Sequence, residues 1–254
     1  MEERRDTPLF TVVTVTWNAA AVLEPTLRSV EAQTCLDYEY LVVDGASSDD
    51  TLAMVEAANI ANKRVVSEKD RGLYDAMNKA IALARGTFII WLNAGDAFAD
   101  ADALELLRQL AQANPEADVL YGQTMLVDST RTVVGLRHLT APERLDAASF
   151  KRGMVVCHQA FVARREVMPE YDMQYRYSAD YDWCVKILKR SRGNAYAGEQ
   201  PLIHFLSDDG QTVRHHRASL RERYRIMCRH YGTLTAILRH LSFIPRALLR
   251  SVKC

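Results

Sequence analysis

Leu9–Thr16 (LFTVVTVT) is an unbroken run of apolar and β-branched residues, the pattern of a parallel strand covered on both faces. The period then changes. Leu23, Leu27 and Val30 fall on one face of a helix that Asn18 is placed to cap, and Pro25 suits only its first turn. Tyr40–Val43 predicts a second strand ending at Asp44-Gly45. Asp49 or Asp50 then opens a helix carrying Leu52, Val55 and Glu56. Arg64–Ser67 predicts a short third strand. Gly72–Ala84 predicts a helix with Met77, Ile81 and Ala84 on one stripe, and Thr87–Leu92 a fourth strand ending in Asn93-Ala94-Gly95-Asp96. The order β-α-β-α-β-α-β predicts an α/β fold: a Rossmann-like, mainly parallel sheet with helices on both faces.

The second half is less regular. Asp102–Ala113 predicts a helix stopped by Asn114-Pro115. Val119–Val127 and Thr132–Leu136 read as an antiparallel pair joined through Asp128-Ser129. The apolar stretch Met154–Val162 is interrupted by His158-Gln159. Ser178 is a good N-cap for a helix at Ala179–Ser191, with Tyr181, Cys184, Val185 and Leu188 at i, i+3, i+4 and i+7. Lys189, Arg190, Arg192 and Gly193 follow at its end, and Asp180 falls in its first turn.

Composition narrows the class. A chain of 254 residues, 48% hydrophobic and 25% charged, is globular and long enough to bury a core without disulfides or a structural metal. Formal net charge is zero, which argues against nucleic acid as a partner. From Gln211 to Cys254, however, ten Lys/Arg face a single acid, Glu222, so this segment carries +9 and the rest −9. Five widely spaced cysteines with no C-x-x-C pair fit neither a disulfide framework nor a zinc ribbon, and predict a reducing compartment. No signal-peptide pattern opens the chain, and no run of about 18 apolar residues occurs. The expectation is a cytoplasmic protein, soluble or peripheral on the inner face of the cell membrane.

In parallel sheets ligands bind beyond the carboxyl ends of the strands. Asn18, Asp44, Glu68 with Asp70, and Asp96 follow four successive strands. Asp and Asn are ordinary turn residues, but four such ends in sequence favour a polar ligand site. Three motifs occupy these places: V-D-G-A-S-S-D-D-T at residues 43–51, S-E-K-D-R-G-L-Y-D-A-M-N-K at 67–79 and L-N-A-G-D at 92–96. Taken in order, they resemble family 2 inverting glycosyltransferases of the GT-A fold, above all a bacterial polysaccharide-assembly branch of colanic-acid type. The likeness continues through His158-Gln159 to Ser178-Ala179-Asp180-Tyr181-Asp182 and covers about residues 8–206.

That resemblance implies transfer of a sugar from a nucleoside-diphosphate-sugar to a hydroxyl of a glycan or lipid-linked acceptor. It implies a GT-A domain over residues 1–210, divided into a nucleotide-binding half (1–98) and an acceptor-side half (99–210). Asp44 corresponds to the family's contact to the donor nucleobase or ribose, with Thr14 lining the same place. Asp75 and Asn78, one helical turn apart, become donor contacts, as does Asn93. Asp96 is the best ligand for Mg²⁺ or Mn²⁺, the oxygen-seeking ions that neutralise a departing diphosphate. The usual D-x-D is reduced here, since Asn93 and Gly95 stand where acids are common. His158 and His204 are further candidates for the metal or phosphate site. Asp180 matches the general base, with Ala179 where a Glu often stands, and Asp182 is a possible acceptor contact.

Residues 211–254 read as a basic amphipathic helical tail. Val213, Leu220, Tyr224, Met227 and Tyr231 form its apolar stripe, with arginines interleaved. Two arrangements suit it: an anchor on an anionic membrane, or a stripe packed on the domain with its arginines in water. Rival functions are a non-catalytic nucleotide-sugar-binding or scaffolding protein on the same fold, and a nucleotidyltransferase. The latter needs a Gly-rich basic triphosphate loop that VTVTWNAAAV does not offer.

Overall fold

The computed structural model describes residues 7–207 and 215–240. The chain alternates through β1 (Phe10–Thr16), α1 (Ala20–Glu31), β2 (Tyr38–Asp44), α2 (Thr51–Ala57), β3 (Lys63–Ser67), α3 (Leu73–Leu83) and β4 (Phe88–Trp91). Then come β5 (Ala97–Phe98), α4 (Ala103–Ala113), β6 (Val119–Val127), β7 (Val133–Leu136), β8 (Phe161–Arg164), α5 (Ala179–Leu188), β9 (Asn194–Leu206) and α6 (His216–Tyr231). A further helix covers residues 233–240. The strands form one sheet in the order β3-β2-β1-β4-β8-β6-β9-β5, with β7 beside β6.

The expected parallel half is there. β3, β2, β1 and β4 are all parallel, and every residue of β1, β2 and β4 is buried, so both faces of this part are covered. The second half is mixed. β8 runs antiparallel to both β4 and β6, so β6 is parallel to β4, and β9 is parallel to β6. The carboxyl ends of β4, β6 and β9 therefore meet at one edge of the sheet, together with the turn that precedes β8.

Several local expectations change. Asn18 does not cap α1. It sits at φ 47 and its Oδ1 accepts the Ser48 N–H at 2.8 Å, because the nearer demand is to fasten the loop after β2. Asp49 serves both helix starts, accepting the N–H of Ala20 and of Thr51, each at 3.1 Å. Pro25 lies inside α1, beyond its first turn. Ser178 occupies the N-cap position of α5, but its hydroxyl pairs with that of Ser219 at 3.0 Å. β5 and the 13-residue β9 have no clear sequence signal, since β9 is irregular and carries Glu, Gln and Pro.

The basic segment packs on the domain over α6. Ile226 and Met227 are fully buried, and Tyr231 donates its hydroxyl to the Ala147 carbonyl. Glu222 accepts the backbone N–H groups of Arg176 and Tyr177 at 2.9 and 2.8 Å, just ahead of α5. The expected stripe thus serves the protein interior at Met227 and Tyr231. Val213 lies outside the described residues.

Gly86, leading into β4, shows how tightly the parallel strands are laid. A Cβ there would stand 2.4 Å from the Thr11 nitrogen and 2.5 Å from the Phe10 carbonyl carbon, both backbone. Gly86→Ala is therefore expected to destabilise the fold by about 2 kcal/mol or more, measured as a shift in the denaturant midpoint.

Candidate active site

The register of the parallel strands places Thr16, Asp44 and Ser67 side by side at the carboxyl edge. Asp44 is fully buried between them. Its Oδ1 accepts from Thr16 Oγ1 at 3.0 Å and from the Ser47 hydroxyl, and its Oδ2 from Ser67 Oγ at 2.7 Å and Ser47 N at 2.9 Å. Burial pushes this carboxyl up, but the Ser47, Ser67 and Thr16 donors outweigh it and hold it below its ordinary value. A nucleobase or sugar hydroxyl reaching Asp44 has to exchange with one of these serine hydroxyls.

Three expected donor contacts are turned to other work. Thr14 is in the core: its hydroxyl donates to the Leu92 carbonyl at 2.7 Å and accepts from Tyr40 at 2.9 Å, fixing the end of β4. Asn78 clamps the backbone of Tyr171 at two points, accepting its N–H at 2.7 Å and donating to its carbonyl at 3.1 Å. Asp75, in the first turn of α3, accepts the Arg71 backbone N–H at 3.0 Å and its guanidinium at 2.7 Å.

The Asn93–Asp96 turn follows β4. It is closed by Asp96 N–H on the Asn93 carbonyl at 2.9 Å, with Gly95 at φ 98 where a side chain would be strained. Asp96 is buried, its Oδ1 accepting Leu206 N–H at 2.9 Å and its Oδ2 accepting Gln159 Nε2 at 2.6 Å. Burial dominates and pushes its carboxyl up to about 7. At the start of the same turn the Asn93 Oδ1 is buried with no hydrogen-bond partner. An orphaned amide oxygen and a buried carboxylate in one turn are both hard oxygen groups of the kind Mg²⁺ or Mn²⁺ takes. Among the described residues no group of three His, Cys, Asp or Glu could hold a metal.

His158 and His204 add no ligand to that pair. His158 is buried, its Nε2 2.6 Å from the Tyr171 hydroxyl and its ring stacked on Trp91 at 5.7 Å. Burial drives it down to about 4, so it is neutral. His204 lies in β9 opposite Ala97, where burial and the charge of Arg131 lower its pKa. Gln159, unassigned in the sequence, is the residue that reaches Asp96.

Asp180 begins α5, half-buried at the same edge. Its Oδ1 accepts from Tyr74 Oη at 3.2 Å and from Tyr181 N–H at 2.9 Å, and no described residue donates to Oδ2. Tyr74 stacks on Tyr171 at 5.4 Å, and Tyr171 on Trp183 at 5.0 Å. This aromatic stack, with His158, lies between the Asp96 turn and Asp180. Tyr74 was within the sequence motif but carried no distinguishing signal. Asp182 is directed elsewhere: buried, it pairs with His230 of α6 and with Lys186, each at 2.6 Å. Burial raises it, but these two partners hold it below its ordinary value. It ties α5 to α6.

Comparison with known proteins fits this geometry. The model of the family described as "Glycosyl transferase family 2" matches residues 11–172. A Mycobacterium tuberculosis protein named PGL/p-HBAD biosynthesis glycosyltransferase is 34% identical over 185 residues, covering 70% of this chain and 69% of that one. Escherichia coli chondroitin synthase is 26% identical over 188 residues, 71% of this chain and 26% of its own length. Among solved structures, S. aureus TarS 1–349 in complex with UDP-GlcNAc superposes with a TM-score of 0.71 at 18% identity, covering 92% of this chain and 73% of that one. The mannosyltransferase PcManGT from Pyrobaculum calidifontis, in complex with GDP-Man and Mn²⁺, gives 0.59 at 17% identity over 97% of this chain and 79% of that one.

Two buried groups give opposite pH signatures. His158 falls from 6.5 in the unfolded chain to about 4, so the stability it supports is complete above 6.5 and is lost as pH falls toward 4. Asp96 rises from 3.8 to about 7, so its contribution is present below 3.8 and is lost as pH rises through 7. Between pH 7.5 and 5, His158→Gln should gain about 2 kcal/mol relative to the parent and Asp96→Asn should lose a similar amount. Urea titrations at both pH values check this, and a shared sign would contradict it.

Proposed function

The chain belongs to glycosyl transferase family 2, and from that premise we propose that it transfers a sugar, with inversion, from a nucleoside-diphosphate-sugar to an acceptor hydroxyl. The observation that carries the mechanism is Asp180: one carboxylate oxygen is fixed by Tyr74 and the Tyr181 N–H, and the other is open at the sheet edge that also bears Asp96. Asp180 Oδ2 takes the proton of the acceptor hydroxyl as that oxygen attacks the sugar carbon from the face opposite the leaving group. The held Oδ1 keeps the carboxylate from rotating away. Asp44, with Ser47 and Ser67, receives the nucleoside. TarS in complex with UDP-GlcNAc and PcManGT in complex with GDP-Man support this donor class. Asp96 and the Asn93 amide oxygen would hold Mg²⁺ or Mn²⁺, which supplies positive charge to the departing nucleoside diphosphate.

The acceptor is a growing surface glycan or a lipid-linked one, met at an anionic membrane. Among the described residues no helix is long and apolar enough to cross a bilayer. Leu234, Ile237 and Leu238 are nevertheless 72%, 41% and 60% exposed just after α6, which presents exposed Arg217, Arg221 and Arg225. Apolar side chains beside basic ones suit the headgroup region of an anionic leaflet.

A thermal-shift screen of UDP-, GDP- and dTDP-sugars with Mg²⁺ or Mn²⁺ identifies the donor. With that donor, Asp180→Asn is expected to lower turnover by about 10²–10⁴-fold while its thermal shift survives. Asp182→Asn should instead destabilise the fold by on the order of 3 kcal/mol, with turnover per folded molecule near that of the parent. The reverse pattern would move the base to Asp182. Separately, replacing Arg217, Arg221 and Arg225 by Ser should reduce co-sedimentation with anionic vesicles, most at low salt, and leave donor binding unchanged. Failure of the intact protein to bind such vesicles would end the membrane reading.

A further inference from the structure

The turn between β6 and β7 opens at the same sheet edge as the Asn93–Asp96 turn, because β6 and β4 are each antiparallel to β8. It is a built turn. The Asp128 carboxylate accepts the N–H groups of Thr130 and Thr132, each at 2.9 Å, and the Asp128 carbonyl accepts the Arg131 N–H at 3.0 Å. Arg131 is held there at φ 68, a conformation unfavourable for a residue with a side chain and found where the surroundings enforce it. Its guanidinium crosses to the metal-motif turn and donates from Nη2 to the Gly95 carbonyl at 2.7 Å. Its Nη1 is buried and has no hydrogen-bond partner. A cationic donor out of water with nothing to bond is unfavourable until a ligand completes it.

The chemistry at that place asks for a cation. The motif offers one carboxylate, and the charge that develops when a nucleoside diphosphate departs falls on its terminal phosphate. A guanidinium meets phosphate oxygens through a planar pair of N–H groups. We propose that Arg131 is a donor-diphosphate contact, its unpartnered Nη1 bonding a terminal-phosphate oxygen and carrying part of the leaving group's charge beside Asp96. The assignment rests on the nucleotide-sugar reading above. It gives the β6–β7 turn a role in recognising the number of phosphates, with Gly95 as the strut that aims the guanidinium.

The test measures binding without turnover. Parent, Arg131→Gln and Arg131→Lys are titrated by calorimetry with UDP, GDP, dTDP and ADP and with the matching monophosphates, in Mg²⁺ and in EDTA. The parent should prefer a diphosphate to its monophosphate. Arg131→Gln should weaken the diphosphate at least tenfold, more in EDTA, and change the monophosphate less than twofold; Arg131→Lys should fall between. Thermal midpoints without nucleotide confirm that the variants are folded, and if Arg131→Gln is not, loss of the diphosphate preference in Arg131→Lys decides. A parent that binds no nucleotide overturns the donor reading and the inference together. A parent with the preference and variants that keep it, or that lose both ligands equally, overturn the inference alone and leave Arg131 a strut for Gly95.

Discussion

A carboxylate removed from water must be met by donors, and the arrangement of the site follows from how Asp96 is met. Its two oxygens draw on the Leu206 backbone at the end of β9 and on Gln159 ahead of β8, while Thr26 of α1 donates to its carbonyl at 2.6 Å. One residue, through its side chain and its carbonyl, thereby gathers segments far apart in sequence. The arrangement leaves the carboxyl pushed up to about 7, so its charge responds to any cation brought near. A group this poised answers to the arrival of a charged substrate in a way that a solvated carboxylate does not.

Between Asp96 and Asp180 the protein places rings instead of charges. Trp91, His158, Tyr171, Trp183 and Tyr74 are stacked or edge-on at centroid separations of 5.0–6.3 Å. His158 is neutral in this setting and serves through its shape and one hydrogen bond to Tyr171. Such a wall is stiff and dry. It joins the end of β4, through Trp91 and His158, to Tyr74, whose hydroxyl meets Asp180. Asn78 belongs to the same construction, since its two-point hold on Tyr171 ties the stack to α3.

The charge division along the chain is partly resolved inside the fold. Glu222, the lone acid of the basic segment, binds the backbone ahead of α5, and His230 reaches the buried Asp182. Arg229 pairs with Asp172 at 3.2 Å. Over α6 the positively charged end is thus a brace for the helix that carries Asp180. The apolar side chains left in water are the later ones, Leu234, Ile237 and Leu238.

Periodicity and strand-end chemistry made much of this legible. The four parallel strands announce themselves because burial on both faces demands unbroken apolar runs, a local property. Asp180 and Asp96 were legible as motif positions, and Asp44 as a strand end. The direction in which a side chain points is not local. Thr14, Asn78 and Asp182 have the right chemistry for ligand contact, yet each meets a partner supplied by another segment: Leu92, Tyr171 and His230. β9 was hidden because its pairing is assured by neighbours on both sides and asks little of its own pattern. Arg131 was one arginine in a turn until the sheet, through the direction of β6, brought it to Gly95. Sequence by itself determined the four parallel strands, the helices between them and the carboxylates at their ends, because those follow from neighbours along the chain. Tertiary structure alone decided which polar groups are satisfied internally and which are left open, because a hydrogen bond depends on distances that only packing sets.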